Sequence, residues 1–261
     1  MDKLYVVKIG GNIIDDEAKL STFLQSFAAV DGKKILVHGG GKLATKLAAD
    51  LAIPQQMVEG RRITDAETLK IVTMVYAGLI NKNIVAQLQA TGCSAVGLSG
   101  ADGDAIRAHK RRAKNIDYGF AGDVDSVNTS FLNSLLVQNL APVLSPITHN
   151  GEGQLLNTNA DTIAQETAKA FSAFYDVQLI YGFEKAGVLL DVNNESSVIP
   201  LISLQRYSEL KEHGLVFAGM IPKLDNAFSA LESGIDKVII GSAENLQKLI
   251  SGESGTTLVL S

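Results

Sequence analysis

Three charged residues of this chain stand where charge needs an explanation. Lys8 closes the run Leu4, Tyr5, Val6, Val7, whose apolar character reads as a strand buried on both faces, and Gly10 and Gly11 follow directly. An ammonium at the end of a buried strand is costly unless something negative meets it. Lys223, in "GMIPK", falls in the first turn of a helix that Pro222 helps to open. The helix dipole disfavours a cation there, although a merely exposed lysine would read the same way. Asp161 ends "LLNTNAD" (155–161), where Asn157 and Asn159 precede a helix and Asn159 suits its N-cap.

Glycines mark the places where strands end. Gly10 and Gly11, then Gly39, Gly40 and Gly41, then Gly97 with Gly100 each close an apolar segment. In parallel α/β folds, ligands collect beyond the carboxyl ends of strands. Glycine lets the backbone approach an anion there, and a following helix N-terminus presents free N–H groups. The pattern therefore predicts a phosphate or carboxylate site, with tight strand-helix connections as the plainer alternative. The GxxxxGK[ST] spacing is absent, and so is GxGxxG after the first strand, which argues against an ordinary dinucleotide fold.

The elements that must hold these residues alternate between strand and helix. Residues 15–30 place Leu20, Phe23, Leu24 and Phe27 on one helical face. "KILVHGGGK" reads as a second buried strand, and 63–90 as a long helix with Thr64 as N-cap and Glu67 completing a capping box. Residues 103–128 read as hairpins, and the second half repeats the alternation to a closing strand, "TTLVLS". Continuous apolar strands alternating with helices predict a mainly parallel sheet covered on both faces. No Pro/Ser-rich linker divides the chain, so one domain is expected, with an N-terminal lobe to about residue 157 and a C-terminal lobe over about 158–261.

Composition narrows the field. With 261 residues, 46% hydrophobic, the chain can bury a full core. Its formal charge of −5 argues against a general nucleic-acid binder. No apolar run is read as approaching the roughly 20 residues of a membrane span. The single cysteine, Cys93, excludes an internal disulfide, fits a reducing cytoplasm and reads as packing. The basic run "HKRRAK" (109–114) reads as a solvated hairpin.

Taken in order, "KIGGN", "HGGGK", "GRRITD", "AVGLSGADG", "YGFAGDV", "LLNTNAD", "GMIPK" and "GTTLVL" resemble the amino-acid kinase family, and within it the acetylglutamate kinase branch. The resemblance implies an open three-layer αβα sandwich, with N-acyl-L-glutamate in the N-terminal lobe and ATP, with Mg²⁺, in the C-terminal lobe. It implies phosphorylation of the side-chain carboxylate of N-acetyl-L-glutamate to an acyl phosphate, in arginine biosynthesis. Lys8 and Lys223 would hold the transferring phosphoryl group and Asp161 would orient them. Gly40, Gly41, Arg62 and Asn157 would bind the acylated glutamate. Gly10, Gly11, Glu184, Lys185, Gly187, Gly219 and Met220 would meet the nucleotide, and no protein metal centre is implied. The chemistry agrees: a carboxylate is already ionised at pH 7, so no general base is needed. What is needed is positive charge around two anions and the phosphoryl oxygens between them.

This chain also departs from the family pattern. The nucleotide-side loop reads "YGFEKAGVL" (181–189), with Glu184 where an aspartate is usual and Lys185 adding a charge, so contacts there and around 217–220 are the least transferable. Ala101 stands where a lysine is common. The chain starts directly on its first strand, without the extra N-terminal helix of arginine-inhibited hexamers, so a cytoplasmic homodimer without arginine feedback is expected. Arg61, beside Arg62, stands where leucine is usual and raises N-succinyl-L-glutamate as an alternative substrate. A non-catalytic effector-binding protein on the same fold is the alternative of a different class.

Overall fold

The computed structural model describes residues 1–261 apart from 59, 114, 192 and 216–219, and apart from the side chain of Pro222. Along the chain, β1 (Lys3–Ile9) leads through the short α1 (Gly11–Ile14) to α2 (Glu17–Ala28) and β2 (Lys33–His38). Then follow α3 (Gly41–Asp50), the hairpin of β3 (Gln56–Val58) and β4 (Arg61–Ile63), and α4 (Ala66–Val72). A π-helical stretch, Thr73–Ile80, joins α4 to α5 (Asn81–Ala90). Next come β5 (Ala95–Leu98), β6 (Ile106–Lys110), β7 (Ala121–Val127), α6 (Thr129–Val137) and β8 (Ala141–Leu144). The short β9 (Ile147–His149) and β10 (Leu155–Thr158) precede α7 (Ala160–Phe171) and β11 (Asp176–Phe183). The last elements are β12 (Leu201–Ser203), α8 (Leu204–Glu212), α9 (Ile221–Glu232), β13 (Lys237–Ser242), α10 (Leu246–Ser251) and β14 (Thr256–Val259).

One eight-stranded sheet, in the order β12-β14-β13-β11-β1-β2-β8-β5, runs through the molecule. Every neighbouring pair in it is parallel except β13 with β14. The central strands are apolar on both faces, as a sheet covered twice requires. In β1, Leu4 and Val6 pack into one core cluster while Tyr5, Val7 and Ile9 pack into the other. In β11, Val177, Leu179 and Tyr181 join the first cluster and Ile180 the second. Helices α6, α7, α8 and α9 supply the first cluster, and α1 to α5 with α10 the second. The three-layer αβα sandwich expected from the sequence is therefore observed.

Several local readings change. Asp65, not Thr64, caps α4: its carboxylate accepts from the Thr68 amide at 2.7 Å. Thr64 instead bridges to Gly119 and is fully buried. Glu67 pairs with Lys70 on the helix surface rather than closing a capping box. The 63–90 helix is not uniform, because the π-helical turns shift its face midway; Tyr76 projects from them. The continuous stretch Ala66–Ala90 is long and apolar enough to cross a membrane, contrary to the sequence reading. Its apolar face, from Leu69 and Val72 through Ile84 to Leu88, lies in the protein core.

Strands β6, β7, β9 and β10 close into a small barrel that the hairpin reading of 103–128 captured only in part. Gly97 and Gly100 are explained by packing. A Cβ on Gly97 would run into Asn81, and one on Gly100 would come within 2.7 Å of the Ile106 carbonyl.

Candidate active site

Two clefts open at the carboxyl ends of β1 and β2, and Gly41 lines both. The first, of about 330 Å³, is walled by Lys8, Gly10, Gly11, Asp161, Phe183, Glu184 and Lys223. Lys8 arrives on the face of β1 that carries Leu4 and Val6, at the point where that apolar face runs out. There α7 begins, capped by Asn159, whose side chain accepts from the amides of Asp161 and Thr162 at 2.7 and 3.2 Å. That cap fixes Asp161 in the first turn, 2.6 Å from the Lys8 ammonium. The contact is a charge pair without hydrogen-bond alignment.

Lys223 reaches the same place from the first turn of α9. Its ammonium lies 4.1 Å from the centre of the Phe183 ring, and that of Lys8 lies 5.8 Å from the same ring. Both cations thus rest against one aromatic ring. Burial pushes the Lys223 pKa below its ordinary value; Asp161 pulls it back up, Lys8 depresses it further, and Glu184 raises it. Lys42, at the start of α3, donates to Asn12 of α1 and lies 3.9 Å from the Asp15 carboxylate. These contacts tie the two glycine turns together.

The second cleft, of about 200 Å³, contains Gly39, Gly40, Gly41, Arg61, Arg62, Tyr76, Arg111 and Asn157. Gly40 has φ 151°, and a Cβ there would collide with Ile80 and lie 3.1 Å from Tyr76. Only glycine permits that turn. Arg62 is 8% exposed and heavily engaged: it donates to Gln55, to the Gly41 carbonyl at 3.0 Å and to the Thr45 hydroxyl at 2.9 Å. Asn157 donates to the Thr64 hydroxyl at 3.0 Å, which fixes the orientation of its amide.

Beneath the glycine turn lies His38, with no exposed surface. Burial lowers its pKa to about 4, with Lys82 pushing the same way and the Gly39 carbonyl opposing. The imidazole is therefore neutral at pH 7. Its Nδ1 lies 2.8 Å from the Gly39 carbonyl, an acceptor, so Nδ1 carries the proton. Nε2 accepts from the Asn81 amide at 3.1 Å.

Of the residues singled out in the sequence, Lys8, Gly10, Gly11, Asp161, Glu184 and Lys223 come together in the first cleft. Gly40, Arg62 and Asn157 come together in the second, and Gly41 joins the two. Lys185 does not line either; its ammonium pairs with Glu195 at 2.6 Å. Gly187 packs against Thr256 and Val198, where a Cβ would sit 2.8 Å from each. Met220 packs at the margin of the first core cluster, and Gly219 lies outside the described residues. Tyr76, Phe183 and Arg111 are among the wall residues not assigned to the site beforehand. Tyr76 is placed by the π-helical turns, which no simple periodicity signals. Phe183 is placed by the length of β11. Arg111, read as part of a solvated hairpin, turns inward and pairs with Asp123 at 2.8 Å.

The amino acid kinase family model matches residues 3–242. The acetylglutamate kinase of Phocaeicola vulgatus is 54% identical over 257 residues, covering 98% of each chain. That of Cytophaga hutchinsonii is 55% identical over 262 residues, covering 99% of each. The N-acetylglutamate synthase of Neisseria gonorrhoeae, solved with coenzyme A and N-acetyl-glutamate, superposes with a TM-score of 0.84. It covers all of this chain and 60% of its own, at 20% identity, and so speaks to the fold alone. The chain belongs to the amino acid kinase family, among its acetylglutamate kinases.

Proposed function

We propose that this protein transfers the γ-phosphoryl group of ATP to the side-chain carboxylate of N-acetyl-L-glutamate, as a step of arginine biosynthesis. The observation that carries the reading is the meeting of the two clefts at Gly41, one walled by lysines and the other by arginines and glycine backbone. The acylated glutamate lies in the second cleft, its α-carboxylate facing Arg62 and Asn157 and its side chain directed past Gly41. The nucleotide lies on the C-terminal side, with its phosphates over Gly10 and Gly11. In this reading the lobes divide near residues 157 and 158, one for each substrate.

A carboxylate oxygen attacks the γ-phosphorus, the bond to the β-bridging oxygen breaks, and ADP leaves with that electron pair. Lys8 and Lys223 neutralise the charge spread over the phosphoryl oxygens, and Asp161 keeps the two ammoniums in place. No proton moves in the chemical step. Mg²⁺ supplies further neutralisation of the phosphates when bound. Among the described residues no group of three acidic or His/Cys side chains could cage a metal, so the ion would be held chiefly by nucleotide oxygens, with Asp161 and Glu184 the carboxylates of the cleft wall.

The assembly proposed is a homodimer in the cytoplasm. Its support is the outer face of the 66–90 helical stretch, where Met74 and Leu79 are 53% and 55% exposed. The test of function is a hydroxylamine trap for acyl phosphate with ATP, Mg²⁺ and a panel of N-acetyl-L-glutamate, N-succinyl-L-glutamate and L-glutamate. Hydroxamate should form with an N-acylated glutamate; none with any acceptor would return the protein to a ligand-binding role. One observation favours weighing the succinyl compound: Arg61 lines the same cleft as Arg62. A second acyl carboxylate in that cleft would be a charge complement to the Arg61 guanidinium.

A further inference from the structure

We infer that the Tyr181 hydroxyl is a positioning group for Asp161: it donates to the Asp161 carboxylate when nucleotide phosphates draw Lys8 and Lys223 toward themselves. This rests on the phosphoryl-site reading above and adds a residue to it. Tyr181 pairs with Lys8 in the parallel register of β1 and β11, so the two side chains stand side by side on one face of the sheet. Its ring is 5% exposed and stacks on Phe183 at 6.2 Å between centres. Its hydroxyl is buried and has no hydrogen-bond partner among the described residues.

Asp161 Oδ1 is likewise buried without an aligned donor. Asp161, Tyr181, Phe183, Lys223, Asn226 and Ile240 together bound a small cavity of about 10 Å³. A buried hydroxyl without a partner thus shares a cavity with a carboxylate whose buried oxygen is held by the Lys8 ammonium at 2.6 Å.

A buried hydroxyl without a partner destabilises the fold, and phenylalanine would fill the same volume without that cost. Such an unsatisfied group calls for a role in another state of the protein. The phenol keeps the proton it would donate, because burial and the Asp161 charge both raise its pKa above the ordinary tyrosine value. In the resting protein Lys8 lies 2.6 Å from Asp161. Once a phosphate competes for that ammonium, the carboxylate needs another donor to remain between the lysines, and Tyr181 lies within the same cavity wall.

Tyr181→Phe, assayed by steady-state kinetics and thermal melting, tests the role. Expected is a fall in kcat of roughly ten-fold, the scale of one hydrogen bond, with KM for both substrates within two-fold and a melting midpoint that rises. In an Asp161→Asn background the same substitution should cost no further turnover. An unchanged kcat overturns the proposal, as does an equal additional loss beside Asp161→Asn. A lowered melting midpoint also overturns it, since the hydroxyl would then be satisfied in the resting protein. Failure of the underlying reading looks different: wild-type turnover in Asp161→Asn and Lys8→Ala would remove the phosphoryl site whatever Tyr181→Phe does.

Discussion

The two clefts that meet at Gly41 are built in opposite ways. In the arginine cleft the main cation is already spoken for: Arg62 donates to Gln55, to Gly41 and to Thr45, and Asn157 is fixed by Thr64. In the lysine cleft the cations lean on one aspartate and one aromatic ring, and the Tyr181 hydroxyl, in the small cavity that shares Asp161, Phe183 and Lys223 with the cleft, has no hydrogen-bond partner among the described residues. The first is arranged before its ligand arrives, so binding there loses little side-chain freedom. The second is arranged around charge that comes with the ligand. Positive groups held in a desolvated site act most strongly on charge that develops there.

The contrast can be broken most directly from the lysine side. Lys8→Ala and Lys223→Ala should each lower kcat by something on the order of 10²–10³, the scale for losing one transition-state charge contact. Asp161→Ala should harm turnover comparably while costing about 1 kcal/mol or less in urea unfolding, because its side chain is 30% exposed and water can reach the cleft. Steady-state kinetics on the three variants checks this, and wild-type turnover in all three would refute the assignment.

From the arginine side the expected signature is different. Arg62→Ala should raise KM for the acylated glutamate by roughly 10–100-fold while leaving KM for ATP within two-fold, since alanine offers a carboxylate neither positive charge nor a charge-assisted hydrogen bond. It should also lower stability by about 1–3 kcal/mol, because the Gly41 carbonyl and its neighbours lose their donor. Equal effects on both KM values would remove Arg62 from the acceptor site.

A third measurement separates support of the glycine turn from contact with substrate. His38 resists protonation in the fold down to about pH 4, whereas the unfolded chain takes up a proton near pH 6.5. Stability from this group is therefore fully present above pH 6.5 and is lost as the pH falls from there to about 4. The whole loss amounts to about 3 kcal/mol at most. Unfolding curves across that window should show the loss in wild type and not in His38→Gln.

The smallest effect sharpens the identity of the acceptor. If Arg61 meets a second carboxylate on the acyl chain, wild type should favour N-succinyl-L-glutamate in kcat/KM, and Arg61→Leu should shift the ratio of the two substrates several-fold toward the acetyl compound. A wild-type preference for the acetyl compound, or an unchanged ratio in the variant, would leave Arg61 without that role.

Much of this molecule was legible in the amino-acid order. The apolar run before Lys8 required a strand buried on both faces, and the glycines after it marked the edge where ligands collect. Asn159 announced the start of α7, and with it the place of Asp161 in a first turn. These are local properties: side-chain polarity, backbone freedom and capping act over a few residues. Other assignments depended on packing between elements distant in sequence. Lys185 and Glu184 are adjacent, yet one turns outward to Glu195 and the other into the cleft. Arg111 reads as hairpin surface until the barrel folds it toward the glycine turn. Tyr181 looks like one more core residue of β11, and only the juxtaposition of β1, β11, α7 and α9 leaves its hydroxyl buried beside an acid. Whether a polar atom finds a partner is decided by what the fold brings within hydrogen-bond reach, and no short stretch of sequence contains that information.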